Sequence, residues 1–103
     1  MSQLVSIDMQ VGMRYSGNNQ NLYIKMVDRF YKSYKDIDLS SMSQDDFQRA
    51  IHNLKTISMS IGAIKLHEIA KDIDMDGDRD KLPVLDREIR LVLEDIESLL
   101  EDK

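Results

Sequence analysis

Apolar residues recur at three- and four-residue intervals along most of the chain, the spacing typical of one face of an α-helix. The clearest example lies between residues 47 and 61, where a turn of about 100° per residue gathers one apolar stripe. Its members are Phe47, Ala50, Ile51, Leu54, Ile57, Ser58 and Ile61. A helix is also predicted over about 19–36, and a long stripe from Leu85 to Leu100 predicts a final helix with Pro83 in its first turn. No run alternates with a period of two for long enough to indicate a sheet.

Turn-forming residues divide these helices from one another. A short first helix is predicted over about 7–13, ended by Gly12 and the turn residues that follow it. Ser43 followed by Asp46 resembles a capping box at the start of the central helix, and Gly62 predicts a bend after it. We therefore expect an all-α fold: an antiparallel four-helix bundle over roughly 19–101, with a short extra N-terminal helix, in a single domain of residues 1–103.

Composition narrows the classes of function. Apolar residues make up 42% of the chain, enough for a core, and the formal charge of −5 disfavours nucleic acid as a partner. The absence of cysteine excludes disulfides, thiolate metal sites and thiol nucleophiles. The first residues lack the build of a signal peptide, and no apolar run approaches the ~18 residues that span a bilayer. We expect a cytoplasmic protein without membrane contacts of its own.

His52 falls roughly opposite the middle of the central apolar stripe. Its neighbours on that outer face are Gln48, Lys55, Thr56 and Met59. An exposed histidine is usually a surface residue without a role, and a lysine on a solvated face is common. An imidazole held on a rigid helix, open to water and one turn from a lysine, is nevertheless a candidate nucleophile.

The region around His52 resembles the signature of the histidine phosphotransfer (HPt) family. The matching residues are His52, Leu54, Lys55, Ser58, Ile61, Gly62, Ala63 and Leu66, and Ala70 fits the small residue expected one turn later. Upstream, the family's first two helices are similar to Ile7-Asp8, Gly12-Met13, Gly17-Asn18, Leu22-Tyr23 and Phe30. The main departure is Thr56, at a position where the family usually has glycine. A glycine there would let a partner surface approach closely, whereas threonine is β-branched.

The resemblance implies a phosphorelay function. A response-regulator receiver domain carrying an aspartyl phosphate would donate its phosphoryl group to His52, which would pass it to another receiver aspartate. The chain would be a phosphocarrier and not an enzyme, since it has no Gly-rich or Walker-type nucleotide motif. It would need no cofactor of its own, because Mg²⁺ would sit on the receiver, and we expect a monomer working with receiver domains or a hybrid histidine kinase. The alternative is a helical adaptor that only docks such domains, with His52 idle.

The neighbours of His52 have supporting roles under this hypothesis. The Lys55 ammonium would attract an incoming phosphoryl group and disfavour a charged imidazole. Gln48 and Thr56 could donate hydrogen bonds to phosphoryl oxygens or line a docking surface, although a solvated face explains them equally well. Met59 is predicted to be an adaptable contact for a partner.

Two other features compete with this site. His67 flanks the apolar stripe of the following helix and is predicted to be a boundary residue without a role. The acidic segment from Asp72 to Asp80 begins like an EF-hand calcium loop, with carboxylates at positions one, three and five and Gly77 at position six. Arg79 and Pro83 then occupy positions that should be apolar and glutamate, so no metal site is expected. Weak cation binding by this segment stays open.

Overall fold

A computed structural model of the protein describes residues 4–101, and this part of the chain contains five α-helices and no β-strand. The helices are α1 (Met9–Tyr15), α2 (Gln20–Tyr34), α3 (Gln44–Ser60), α4 (Ile64–Asp76) and α5 (Leu82–Glu101). Two short 3-10 turns, Leu39–Ser41 and Arg79–Lys81, precede α3 and α5. The all-helical prediction is confirmed for these residues. None of the helices between residues 4 and 101 is long and apolar enough to cross a membrane.

The α3 and α4 helices form a hairpin around Gly62. This glycine has φ of +86°, a left-handed conformation that costs other residues free energy. The N–H of Ala63 donates to the Ser58 carbonyl and the N–H of Gly62 to the Met59 carbonyl, which closes the end of α3. The predicted bend is therefore confirmed, and so short a turn makes α3 and α4 antiparallel neighbours.

Side-chain caps begin several of the helices. Asn19 caps α2 by accepting from the Leu22 N–H, and Ser43 caps α3 by accepting from the Asp46 N–H. The Ser43 contact is the forward half of the predicted capping box. Helix α2 is slightly shorter than predicted, since Asn19 lies outside it as the cap.

The short helix α1 corrects one expectation. It spans Met9–Tyr15 instead of about 7–13, and Gly12 lies inside it instead of ending it. Gly12 is buried because α1 packs directly on α2 and on the α3–α4 turn. A Cβ atom on Gly12 would overlap the Tyr23 ring and lie 2.6 Å from the Ile61 carbonyl oxygen. The glycine permits close approach of two backbones.

The core lies between α2, α3, α4 and α5, and buried polar groups join other parts of the chain to it. Tyr23, which is fully buried, donates its hydroxyl to the Ile61 carbonyl at 2.9 Å. At the other side, the buried Asp95 carboxylate accepts from the backbone N–H groups of Val5, Ser6 and Ile7 at 3.0, 2.6 and 2.9 Å. We refer to residues 5–8 as the N-terminal strap. The principal core side chains are Tyr23, Val27, Phe30, Phe47, Ile51, Leu54, Leu66, Ile73, Leu85, Val92 and Ile96.

The acidic residues from Asp74 to Asp80 are predicted to form a loop between helices, but the first of them belong to α4. Helix α4 continues to Asp76, so Asp72 and Asp74 lie on a helix and not in a calcium-loop conformation. Gly77 ends the helix with φ of +65°. Arg79 then reaches back to α3: its guanidinium lies 4.4 Å from the Phe47 ring centroid and donates to carbonyls of the α2–α3 connection. Arg79 thus packs the α4–α5 connection against α3 and the α2–α3 connection.

Candidate functional site

His52 lies on the outer face of α3, where the sequence pattern predicts it. Its side chain is 64% exposed, while the adjacent Ile51 and the following Leu54 are buried. The apolar stripe holds α3 against the core and fixes the direction of the imidazole. A rigid helix presents the ring to solvent.

A carboxylate from α4 lies beside this imidazole. The Asp74 Oδ2 atom is 3.5 Å from His52 Nδ1 and 2.8 Å from Lys55 Nζ, so one oxygen faces both side chains. The hairpin explains the meeting. In an antiparallel pair that turns at Gly62, residues about equally far before and after the turn come side by side. His52 and Asp74 are related in this way.

The negative charge of Asp74 is paired with the positive charge of Lys55. The hydrogen bond from Lys55 holds the pKa of the Asp74 carboxyl below its usual range; partial burial opposes this shift, and the contact with His52 reinforces it. Asp74 therefore carries its negative charge at neutral pH. Lys55 is paired with that charge, so its ammonium is not the isolated cation that the sequence interpretation placed beside His52.

The position of Asp74 distinguishes the two nitrogens of His52. A carboxylate beside Nδ1 favours the tautomer with its proton on that atom. The lone pair then resides on Nε2, which makes no hydrogen bond within residues 4–101. The site thus contains an exposed imidazole whose free nitrogen is available as a nucleophile.

The other predicted site residues on α3 make no hydrogen bond with the imidazole within residues 4–101. Gln48 and Thr56 are exposed on α3, one turn to either side of His52. The Gln48 amide lies beside Gly77, so the end of α4 borders this face. Met59 is half-buried, which is less exposed than predicted.

His67 has a different environment from His52. It is half-buried, and its Nδ1 lies 2.6 Å from the Lys55 carbonyl oxygen, across the α3–α4 interface. A hydrogen bond to a helix carbonyl accounts for this histidine as a packing residue. The structure therefore places it where the sequence predicted, at a boundary.

The sequence interpretation missed Asp74 and Met75. Both were treated as parts of an acidic loop, whereas Asp74 contacts the site and Met75 is 76% exposed next to it on α4. The signal was present in the turn at Gly62, because counting outward from that turn pairs His52 with the region of Asp74. The pairing becomes visible only once α3 and α4 are taken as a hairpin.

Within residues 4–101, no group of three or more histidine, cysteine, aspartate or glutamate side chains is arranged to hold a metal ion. No family model matches the chain, and no curated protein or solved structure matches it either. The function of the chain is therefore inferred from its residues and their geometry.

Proposed function

We propose that this protein is a histidine phosphotransfer module in which His52 accepts a phosphoryl group from a receiver-domain aspartyl phosphate. The observation that carries the proposal is the exposed imidazole with Asp74 at its Nδ1 atom. The signature-like residues from His52 to Leu66 support the same proposal. The alternative is the helical adaptor that docks receiver or kinase domains without phosphorylation.

The reaction is an in-line displacement at phosphorus. The Nε2 lone pair of His52 attacks the phosphorus atom, the N–P bond forms, and the P–O bond to the receiver aspartate breaks. The bonding electrons leave with the aspartate as a carboxylate, while the imidazole keeps its Nδ1 proton and gains positive charge. Asp74 stabilises that charge at a distance of 3.5 Å. The reverse steps transfer the phosphoryl group to a second receiver.

The partner supplies what this chain lacks. Phosphoryl transfer requires mainly positioning and neutralisation of charge, and Mg²⁺ on the receiver would supply the neutralisation. In this proposal the chain is a carrier and not an enzyme with turnover of its own. Gln48, Thr56 and Met75 would contact the receiver around His52, with the Lys55–Asp74 pair beneath them.

The proposed architecture is an antiparallel bundle of α2, α3, α4 and α5, with α1 as an additional N-terminal helix. Such a module would act as a cytoplasmic monomer in a two-component phosphorelay. Receiver domains, alone or within a hybrid histidine kinase, would be its partners. A phosphorelay needs no contact with nucleic acid or membrane, which agrees with the acidic composition.

A phosphotransfer assay tests the proposal. The chain is incubated with phosphorylated receiver domains and Mg²⁺, in parallel with His52→Gln and with His67→Gln as a matched control. We expect acid-labile, base-stable phosphate on the native chain and on the His67 variant, and none on the His52 variant. Label that persists in His52→Gln would refute the assignment. Intact receiver binding without any label would support the adaptor.

A further inference from the structure

A buried acid on α5 has no explanation in the chemistry of His52. Glu88 is 3% exposed, and its Oε2 atom has no hydrogen-bond partner within residues 4–101. Its Oε1 atom lies 3.9 Å from Lys65 Nζ, but the Lys65 side chain is 73% exposed and extends mostly into solvent. A buried carboxylate with so distant a cation partner is costly, so a cation that pairs with it more closely would bind there favourably.

Glu88 lines a cavity of about 350 Å³ beside the α3–α4 turn. The N-terminal strap forms one wall, and Gly62 and the first turn of α4 form another. The strap cannot satisfy Glu88 with its backbone, because the N–H groups of residues 5–7 donate to Asp95 and that of Asp8 donates to Gly62. Among the described residues that line the cavity, Lys65 is the one cation, and its Nζ atom lies 3.9 Å from Glu88 Oε1.

The apolar residues that line the cavity indicate which kind of chemical group would be attached to the cation. Val5 and Ile64, which both line it, are 79% and 37% exposed and present apolar surface at its opening. An occupant with a positively charged donor and a short aliphatic body complements both features. Helix α3 separates this cavity from His52 by ten residues, about 15 Å along a helix. The inference is therefore independent of the proposed phosphotransfer.

We propose that the cavity between the N-terminal strap, Gly62 and Glu88 is a binding site for an organic ammonium group carried on a short alkyl chain. The ammonium pairs with the Glu88 carboxylate, and the alkyl chain covers Val5 and Ile64. Lys65 competes for the same carboxylate from the solvent side.

Amide NMR titration with n-butylammonium tests the site, with n-butanol as the neutral probe of the same length. We expect saturable shifts at Gly62, Ile64 and Lys65 with the amine, and much weaker shifts with the alcohol. Glu88→Gln keeps the shape of the side chain and should weaken amine binding by about tenfold. Lys65→Met removes the competing cation and should strengthen binding, so the test does not depend on one variant.

Several outcomes would overturn the site. They are an absence of saturable shifts with the amine, equal shifts with butanol, or undiminished binding by a folded Glu88→Gln protein. A further arm with N-acetyl-lysine methylamide identifies the source of the ammonium. Binding of both probes supports the site and assigns it to a lysine side chain of another polypeptide, whereas binding of the amine alone supports the site and assigns it to a free small amine. The His52→Gln protein should bind the amine as the native chain does.

Discussion

Replacement of Asp74 by asparagine is the most direct test of how the site works. The substitution removes the negative charge beside His52 Nδ1 and keeps the size of the side chain. Two unit charges 3.5 Å apart attract each other by about 1 kcal/mol in water and by about 5 kcal/mol at an effective dielectric constant near 20. Since the imidazole is 64% exposed, the lower part of this range applies.

A loss of about 1.4 kcal/mol in stabilisation of the charged transition state slows a reaction about tenfold. We therefore expect Asp74→Asn to accept the phosphoryl group about tenfold more slowly than the native chain, with His52 still the labelled residue. Single-turnover transfer from a phosphorylated receiver measures this rate. Asp72→Asn, on the exposed side of the same helix, is the matched control and should transfer at the native rate.

The tautomer of His52 provides a second readout that a purely structural role would not change. Nitrogen NMR of the imidazole should show the proton on Nδ1 in the native chain, and a larger share on Nε2 in Asp74→Asn. Native transfer rates together with an unchanged tautomer in Asp74→Asn would refute the role assigned to this carboxylate. If Asp74→Asn transfers the phosphoryl group slowly but keeps the native tautomer of His52, then Asp74 acts only by stabilising the positively charged ring.

Four further predictions concern stability. Because the pKa of Asp74 is lowered, its ion pair stabilises the fold above the ordinary pKa of 3.8, and this stabilisation is lost as the pH falls through the folded-state pKa. The difference in unfolding free energy between the native chain and Asp74→Asn should therefore be present at neutral pH and shrink below about pH 4. Gly62→Ala should destabilise the fold more than Gly17→Ala, because its new Cβ atom would overlap a neighbouring carbonyl in addition to straining a left-handed backbone. Gly17→Ala has the backbone strain alone, which costs about 1–2 kcal/mol. Equal losses of stability in thermal denaturation would contradict the predicted overlap. Asp95→Asn should cost about 2 kcal/mol, with faster hydrogen exchange at amides 5–7, and unaltered protection there would count against the strap. Arg79→Lys loses a planar stack and a hydrogen-bonding fork, so chemical denaturation should show a loss of about 1 kcal/mol, while native stability would argue against the contact.

The helices and the exposed position of His52 were predictable because they depend on local periodicity. Apolar residues three and four positions apart define a buried face, and the opposite face of the same helix faces solvent whatever it packs against. Ser43, Asn19 and Gly62 add boundaries by local hydrogen bonds and backbone preference. The proposed role of His52 follows from this same local signal, and it stays a prediction.

The missed features all depend on contacts between distant parts of the chain. Gly12 appeared to be a helix end because glycine disfavours a helix interior; only the approach of Tyr23 and Ile61 explains its presence there. Arg79 occupies a position that is apolar in a calcium loop, and only its contact with the Phe47 ring explains an arginine there. In both cases the role of the residue depends on packing against residues distant in the sequence, which its neighbours along the chain do not reveal.

The sequence by itself determined that the chain is helical, which face of α3 is buried, and that His52 projects outward from α3, because those properties are encoded within one or two helical turns. Only the tertiary structure placed Asp74 at the imidazole Nδ1, Asp95 on the N-terminal strap and Glu88 in a cavity. The Asp95 contact joins residues 90 positions apart. Periodicity carries no information about such pairs, which arise when the closed hairpin and the packed α5 bring separate helix faces together.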